Sequence, residues 1–114
     1  MKITDIKIHT VMPIPSLAWL FVEVETDEGV SGLGECTDYA SNSHLVRGIE
    51  AIKPLVIGTD PKNIEEIWQR IFHVYSDLNG RGYISHLISA VDIALWDIRG
   101  KVLGVPIYDL LGGP

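Results

Sequence analysis

Residues 85–103, "SHLISAVDIALWDIRGKVL", constrain this chain more than any other stretch. Their spacing predicts its longest helix, stopped by Gly104 and followed by Pro106. Leu87, Val91, Ala94, Leu95, Ile98 and Val102 form one apolar stripe, while Ile88, Ile93 and Trp96 fall outside it. A helix that is apolar on more than one side needs partners on more than one side. The other elements must be arranged around it, and part of its surface asks for cover that a small core cannot give. Self-association of the isolated chain is the expectation.

The candidate partners lie upstream. Ile6, Ile8, Thr10 and Met12 alternate with Lys7, His9 and Val11, the period of a half-buried strand, and Pro13 and Pro15 end it. In "AWLFVEVET", Leu20, Val22 and Val24 share one face and Trp19, Phe21, Glu23 and Glu25 the other. "DEG" reads as a hairpin loop leading into "VSGLGEC", a third strand with Gly32 and Gly34 on one bare face, where something packs close or the strand bends. Leu45, Ile49 and Ile52 then repeat at helical spacing up to Pro54. In "TDPKNIEEIWQRIFHVYS", Asp60 suits a cap and Pro61 a first turn, ahead of a stripe of Ile64, Ile67, Trp68, Ile71, Phe72 and Tyr75. Strands followed by helices give an α+β fold, a three-stranded antiparallel meander and then a helical bundle, in one domain over residues 1–114.

Charge and composition remove several function classes. With 114 residues, 46% of them hydrophobic, the chain can bury one modest core. A net charge of −6 disfavours nucleic acid and acidic membranes as partners, leaving a small neutral or anionic ligand. The single cysteine, Cys36, cannot form an internal disulfide and suits burial. No run approaches the roughly 18 apolar residues of a membrane span, and the N-terminus lacks a signal-peptide pattern, so the cytoplasm is the expected location.

Chemistry-bearing motifs are sparse. His9, His44, His73 and His86 never pair at ligand spacing, and each reads first as a surface or capping residue. Asp97 and Lys101 are spaced for an i,i+4 ion pair, Asp92 is placed to reach a neighbouring cation or cap, and Glu65 and Glu66 suit a solvated face. "GLGE" lacks the following helix that a phosphate loop requires. No catalytic or metal-ligating constellation emerges.

Four segments together carry a resemblance: "MKITDIKIHTV", "FVEVETDEGVSGLGEC", "IGTDPKNIEEIWQRIF" and above all "SAVDIALWDIRGKVLGVPIYDLLGG". They resemble, in order and over essentially the whole chain, the N-terminal capping domain of the mandelate racemase and muconate lactonizing enzyme family of the enolase superfamily. "ALWD" leans to the mandelate racemase branch, where acid-sugar dehydratases are common. The resemblance implies a downstream (β/α) barrel of the same enzyme as partner, which holds the catalytic residues and Mg²⁺. It also implies a small carboxylate substrate, abstraction of its α-proton, a homo-oligomer, and no catalysis or metal in this chain alone. The cap's loops select substrate, and they fall here at residues 13–18 and 37–44. The first is shorter than the flap many family members carry. Trp19, Tyr39 and His44 are the candidate substrate-binding residues, Tyr and Trp each offering a flat apolar face with a polar tip. Packing under the helices is the competing role for Trp19. The competing reading for the whole chain is a freestanding α+β ligand-binding or interaction module without activity.

Overall fold

Three strands come first, β1 (Ile3–Ile14), β2 (Leu17–Thr26) and β3 (Ser31–Glu35), in a computed structural model that describes residues 1–38, 42–75 and 82–114. Helices α1 (Asn42–Val56), α2 (Ile64–Tyr75), α3 (Tyr83–Leu103) and α4 (Ile107–Leu110) follow, so the expected α+β order holds. The sheet is antiparallel in the order β1-β2-β3, and β2 reaches β3 through a turn in which Gly29 takes φ +77°.

The period-2 pattern of β2 decides which face is covered. Leu20, Val22 and Val24 are fully buried beneath the helices, and Trp19, Phe21, Glu23 and Glu25 point to the opposite face. On the helix side, the bare positions of β3 admit α3 at backbone contact. A Cβ on Gly34 would lie 1.9 Å from the Ala90 carbonyl oxygen, and one on Gly32 would lie 2.0 Å from that of Ala94. Small residues on both sides, Gly on the strand and Ala on the helix, allow this approach. The sequence's two options for the glycines, close packing or a bend, resolve to close packing.

Leu87, Val91, Ala94, Leu95 and Ile98 of α3 are buried as the stripe predicts, and Ile88 joins them because α2 packs over it. The stripe nevertheless outruns the core, since Val102 is 52% exposed in the last turn. Ile93 is also exposed, and Trp96 is half-buried. On α2, Ile67 and Ile71 are buried while Trp68 and Phe72 stack at 5.0 Å between ring centroids.

Element ends depart from the sequence reading in physically simple ways. β1 runs through Pro13 to Ile14 because it is an edge strand, and the pairing shift between Val11↔Trp19 and Ile14↔Leu17 takes up the extra residue. The expected loop over residues 13–18 is thus only a turn at Pro15 and Ser16. Met12, the last of its alternating set, is exposed beyond the core. Pro54 lies inside α1, which continues to Val56, because proline near a helix end forfeits only its own N–H bond. Asp60 closes a turn through the Lys62 N–H at 3.0 Å instead of capping α2, so Pro61 stays outside that helix.

Candidate functional site

The β1–β2 turn, the segment leaving β3 and the N-termini of α1 and α3 meet at one end of the molecule. Local polar side chains hold them there. Thr37 Oγ1 accepts the Leu20 N–H at 3.0 Å and donates to Glu35 Oε1 at 2.7 Å. Asn42 donates from Nδ2 to the Ala18 carbonyl at 3.1 Å and accepts the Asp38 N–H on Oδ1 at 3.0 Å. Both ends of the 37–42 segment are therefore pinned to β2 on either side of Trp19.

Trp19 is 37% exposed on the face of the sheet away from the helices, edge-on to Phe21 at 6.4 Å between centroids. Packing under the helices is thereby ruled out for it. His44 lies in the first turn of α1 and not in a loop, with an exposed side chain. What links its strand-side neighbourhood to Trp19 is the Asn42–Ala18 bond. Tyr39 falls outside the described residues.

Tyr83 joins the two helix starts, a role the sequence reading missed. Its hydroxyl donates to the His44 carbonyl at 3.1 Å, and its ring sits where any side chain on Gly48 would be. Neither α1 nor α3 carries an acidic residue in its first turn, so the positive ends of two helix dipoles face this region, with Asp38 beside the first of them. Thr37, Asn42 and Tyr83 give little signal in the sequence because small polar residues and single tyrosines are common in turns.

Elsewhere the polar groups serve structure. His9 Nε2 lies 2.8 Å from Glu23 Oε2, Asp97 pairs with Lys101 at 2.8 Å, and Glu66 pairs with Arg70. Cys36 is buried, and burial, with the charge of Glu35, pushes its thiol up to about 11. Among the described residues no three His, Cys, Asp or Glu side chains cluster closely enough to hold a metal ion. No helix among them is long and apolar enough to cross a membrane.

A three-stranded antiparallel sheet followed by helices is the architecture that this chain shares with enolase-superfamily structures. The chain superposes on a member of the enolase superfamily from Salmonella Typhimurium with a TM-score of 0.91 and 37% identity, covering 98% of this chain and 29% of that one. A mandelate racemase/muconate lactonizing protein from Paracoccus denitrificans, complexed with magnesium, gives a TM-score of 0.90 at 30% identity over 98% of this chain and 30% of that one. The family model described as mandelate racemase / muconate lactonizing enzyme, N-terminal domain, matches residues 5–112, and the chain belongs to that family. Among its relatives is the D-galactonate dehydratase of Verminephrobacter eiseniae, 40% identical over 113 residues. The alignment covers 99% of this chain, which spans 28% of the length of that relative.

Proposed function

We propose that residues 1–114 are the substrate-selecting cap of a Mg²⁺-dependent sugar-acid dehydratase. The observation that carries this reading is the 40% identity to a D-galactonate dehydratase over 99% of the chain. The site fits it: a pinned segment beside Trp19, together with two helix N-termini near His44, offers an apolar face and backbone dipoles to a hydroxylated carboxylate. Trp19, Tyr39 and His44 are the residues proposed to touch that substrate. Abstraction of the proton α to the carboxylate and the binding of Mg²⁺ belong to a barrel domain of the same enzyme, and the 114-residue chain is inactive alone. The assembled enzyme is proposed to be a homo-oligomer.

The test is to express the longer product of the reading frame and assay it with aldonic and aldaric acids, D-galactonate included, for Mg²⁺-dependent formation of a 2-oxo acid. Turnover by the longer product and none by the 114-residue chain is expected. Absence of turnover on every acid, or a frame that encodes no barrel, overturns the proposal.

A further inference from the structure

A groove of about 820 Å³ runs between α2, α3 and α4, away from the substrate end, and Glu65, Trp68, Asp92, Trp96, Arg99 and Leu110 are among its walls. Resting on the reading of this chain as the cap of a longer enzyme, we infer that the groove receives a cationic side chain from the polypeptide that follows Pro114, and that Asp92 with Glu65 holds it.

The case begins with an incomplete ion pair. Most other acids on or beside the helices have a cation: Asp97 has Lys101, Glu66 has Arg70, Glu50 has Lys53 and Asp60 has Lys62. Asp92 has neither a hydrogen bond nor an ion pair among the described residues. Burial holds its carboxyl above the usual carboxylate range, and the negative charge of Glu65 adds to this. A half-buried acid beside a second acid destabilises the fold unless a cation completes the set. The groove's own cations do not supply one. Lys62 is engaged by Asp60, and Arg99 lies about two helical turns along α3 from Asp92.

Two features indicate where the cation comes from. Leu110 of α4 forms part of the wall, so the chain leaves beside the groove, and 28% coverage of the D-galactonate dehydratase relative leaves most of such an enzyme still to be placed. Exposed Ile93, Val102, Leu103, Tyr108 and Leu111 continue from the groove over α3 and α4. Cover over these side chains would also keep water from the pair. A second copy is a poor source of the cation, since each copy carries a net charge of −6.

Thiol labelling tests the inference without substrate, so it stays independent of whether the enzyme turns over sugar acids. Cys36 is buried and its thiol remains protonated, leaving an introduced cysteine as the reporter. Lys62→Cys, on the groove wall, should react with a maleimide at least about tenfold more slowly in the longer protein than in the 114-residue chain. Adding Asp92→Lys should restore fast labelling in the longer protein, whereas Asp92→Glu should keep it slow. In the 114-residue chain, Asp92→Asn should raise the Tm, since it removes an unpaired charge; this also reports that the position tolerates substitution. Equal labelling in both proteins overturns the inference. So does slow labelling that survives Asp92→Lys, or protection of the 114-residue chain that grows with its concentration and so points to a second copy. A longer protein that is protected in an Asp92-dependent way but inactive on every sugar acid leaves this inference standing and removes the proposed activity.

Discussion

Asp97 Oδ2 accepts the backbone N–H of Leu33 at 2.9 Å, placing a helix carboxylate on the free edge of β3. Four residues further along α3, Lys101 Nζ bonds the same oxygen at 2.8 Å and donates to the Ser31 carbonyl at 2.7 Å. The pair therefore supplies an acceptor and a donor to backbone groups that β2 does not reach. An uncovered edge strand is a template for unwanted pairing, and here a helical ion pair covers it.

Asp97→Ala should consequently cost about 1–2 kcal/mol, more than an exposed i,i+4 pair alone. Asp97→Asn should cost less, because its amide oxygen still accepts from Leu33 while the charge interaction with Lys101 is lost. Urea unfolding of both variants checks this; equal, negligible losses would mean the edge contact carries no stability.

Glycine positions on β3 and in the hairpin should fail for different reasons. Gly34→Ala drives a methyl into the Ala90 carbonyl, a backbone atom that cannot step aside, so α3 must lift off the sheet at about 3 kcal/mol or more. Gly29→Ala meets nothing within 4 Å and suffers only the strain of φ +77°, about 1 kcal/mol. Thermal melts should rank them in that order.

Much of this fold is legible in the sequence because its periods are clean. Alternation along β2 separates Leu20, Val22 and Val24 from Trp19 and Phe21, and the spacing of Asp97 and Lys101 identifies their pair. That Asp97 also bonds Leu33, 64 residues away, is not legible, since local spacing carries no tertiary partner. The same holds for Ile88, whose burial depends on where α2 lies, and for Asn42 and Tyr83, whose bonds cross between elements. Alternation puts Trp19 on the face opposite Leu20 but leaves packing under the helices open for it, which the structure decides. His44, placed by the resemblance at the end of a loop, opens α1 instead, and its carbonyl's bond to Tyr83 has no local signal.

Acid should weaken the fold through carboxylates held below their ordinary range. The Ile6 N–H, then Lys53, does this for Asp5; His9, then Ser31, for Glu23; and the Lys62 N–H for Asp60. A depressed folded pKa means that the unfolded chain binds more protons, so this stability is full above the ordinary carboxylate value of about 4 and is lost as pH falls through the folded values. Asp92 has the opposite sign. Its raised pKa favours the fold when protonated, and that contribution is lost as pH rises through the folded value. Between neutral and acid pH, Glu23→Gln should therefore shrink the fall in Tm, and Asp92→Asn should enlarge it. Identical pH profiles for the two variants would contradict both assignments.

Substrate choice should respond to the side chains at the pinned end far more than stability does. His44 is exposed, so His44→Ala removes little buried packing, whereas Trp19→Ala also gives up the edge-on contact with Phe21 and should lower the Tm modestly. If both side chains touch a sugar acid, each truncation should remove contacts worth about 1–3 kcal/mol and alter kcat/KM unevenly across a substrate panel. Tyr39→Ala is expected to behave likewise. Asn42→Ala differs in kind: it frees the segment from Ala18 and Asp38, so every substrate should suffer a raised KM, because binding must then also order the loop. Kinetics on aldonic and aldaric acids, run beside thermal melts of the longer enzyme, separate the two behaviours. A uniform loss across the panel with a large drop in Tm for Trp19→Ala and His44→Ala would make them structural residues and remove them from the substrate site.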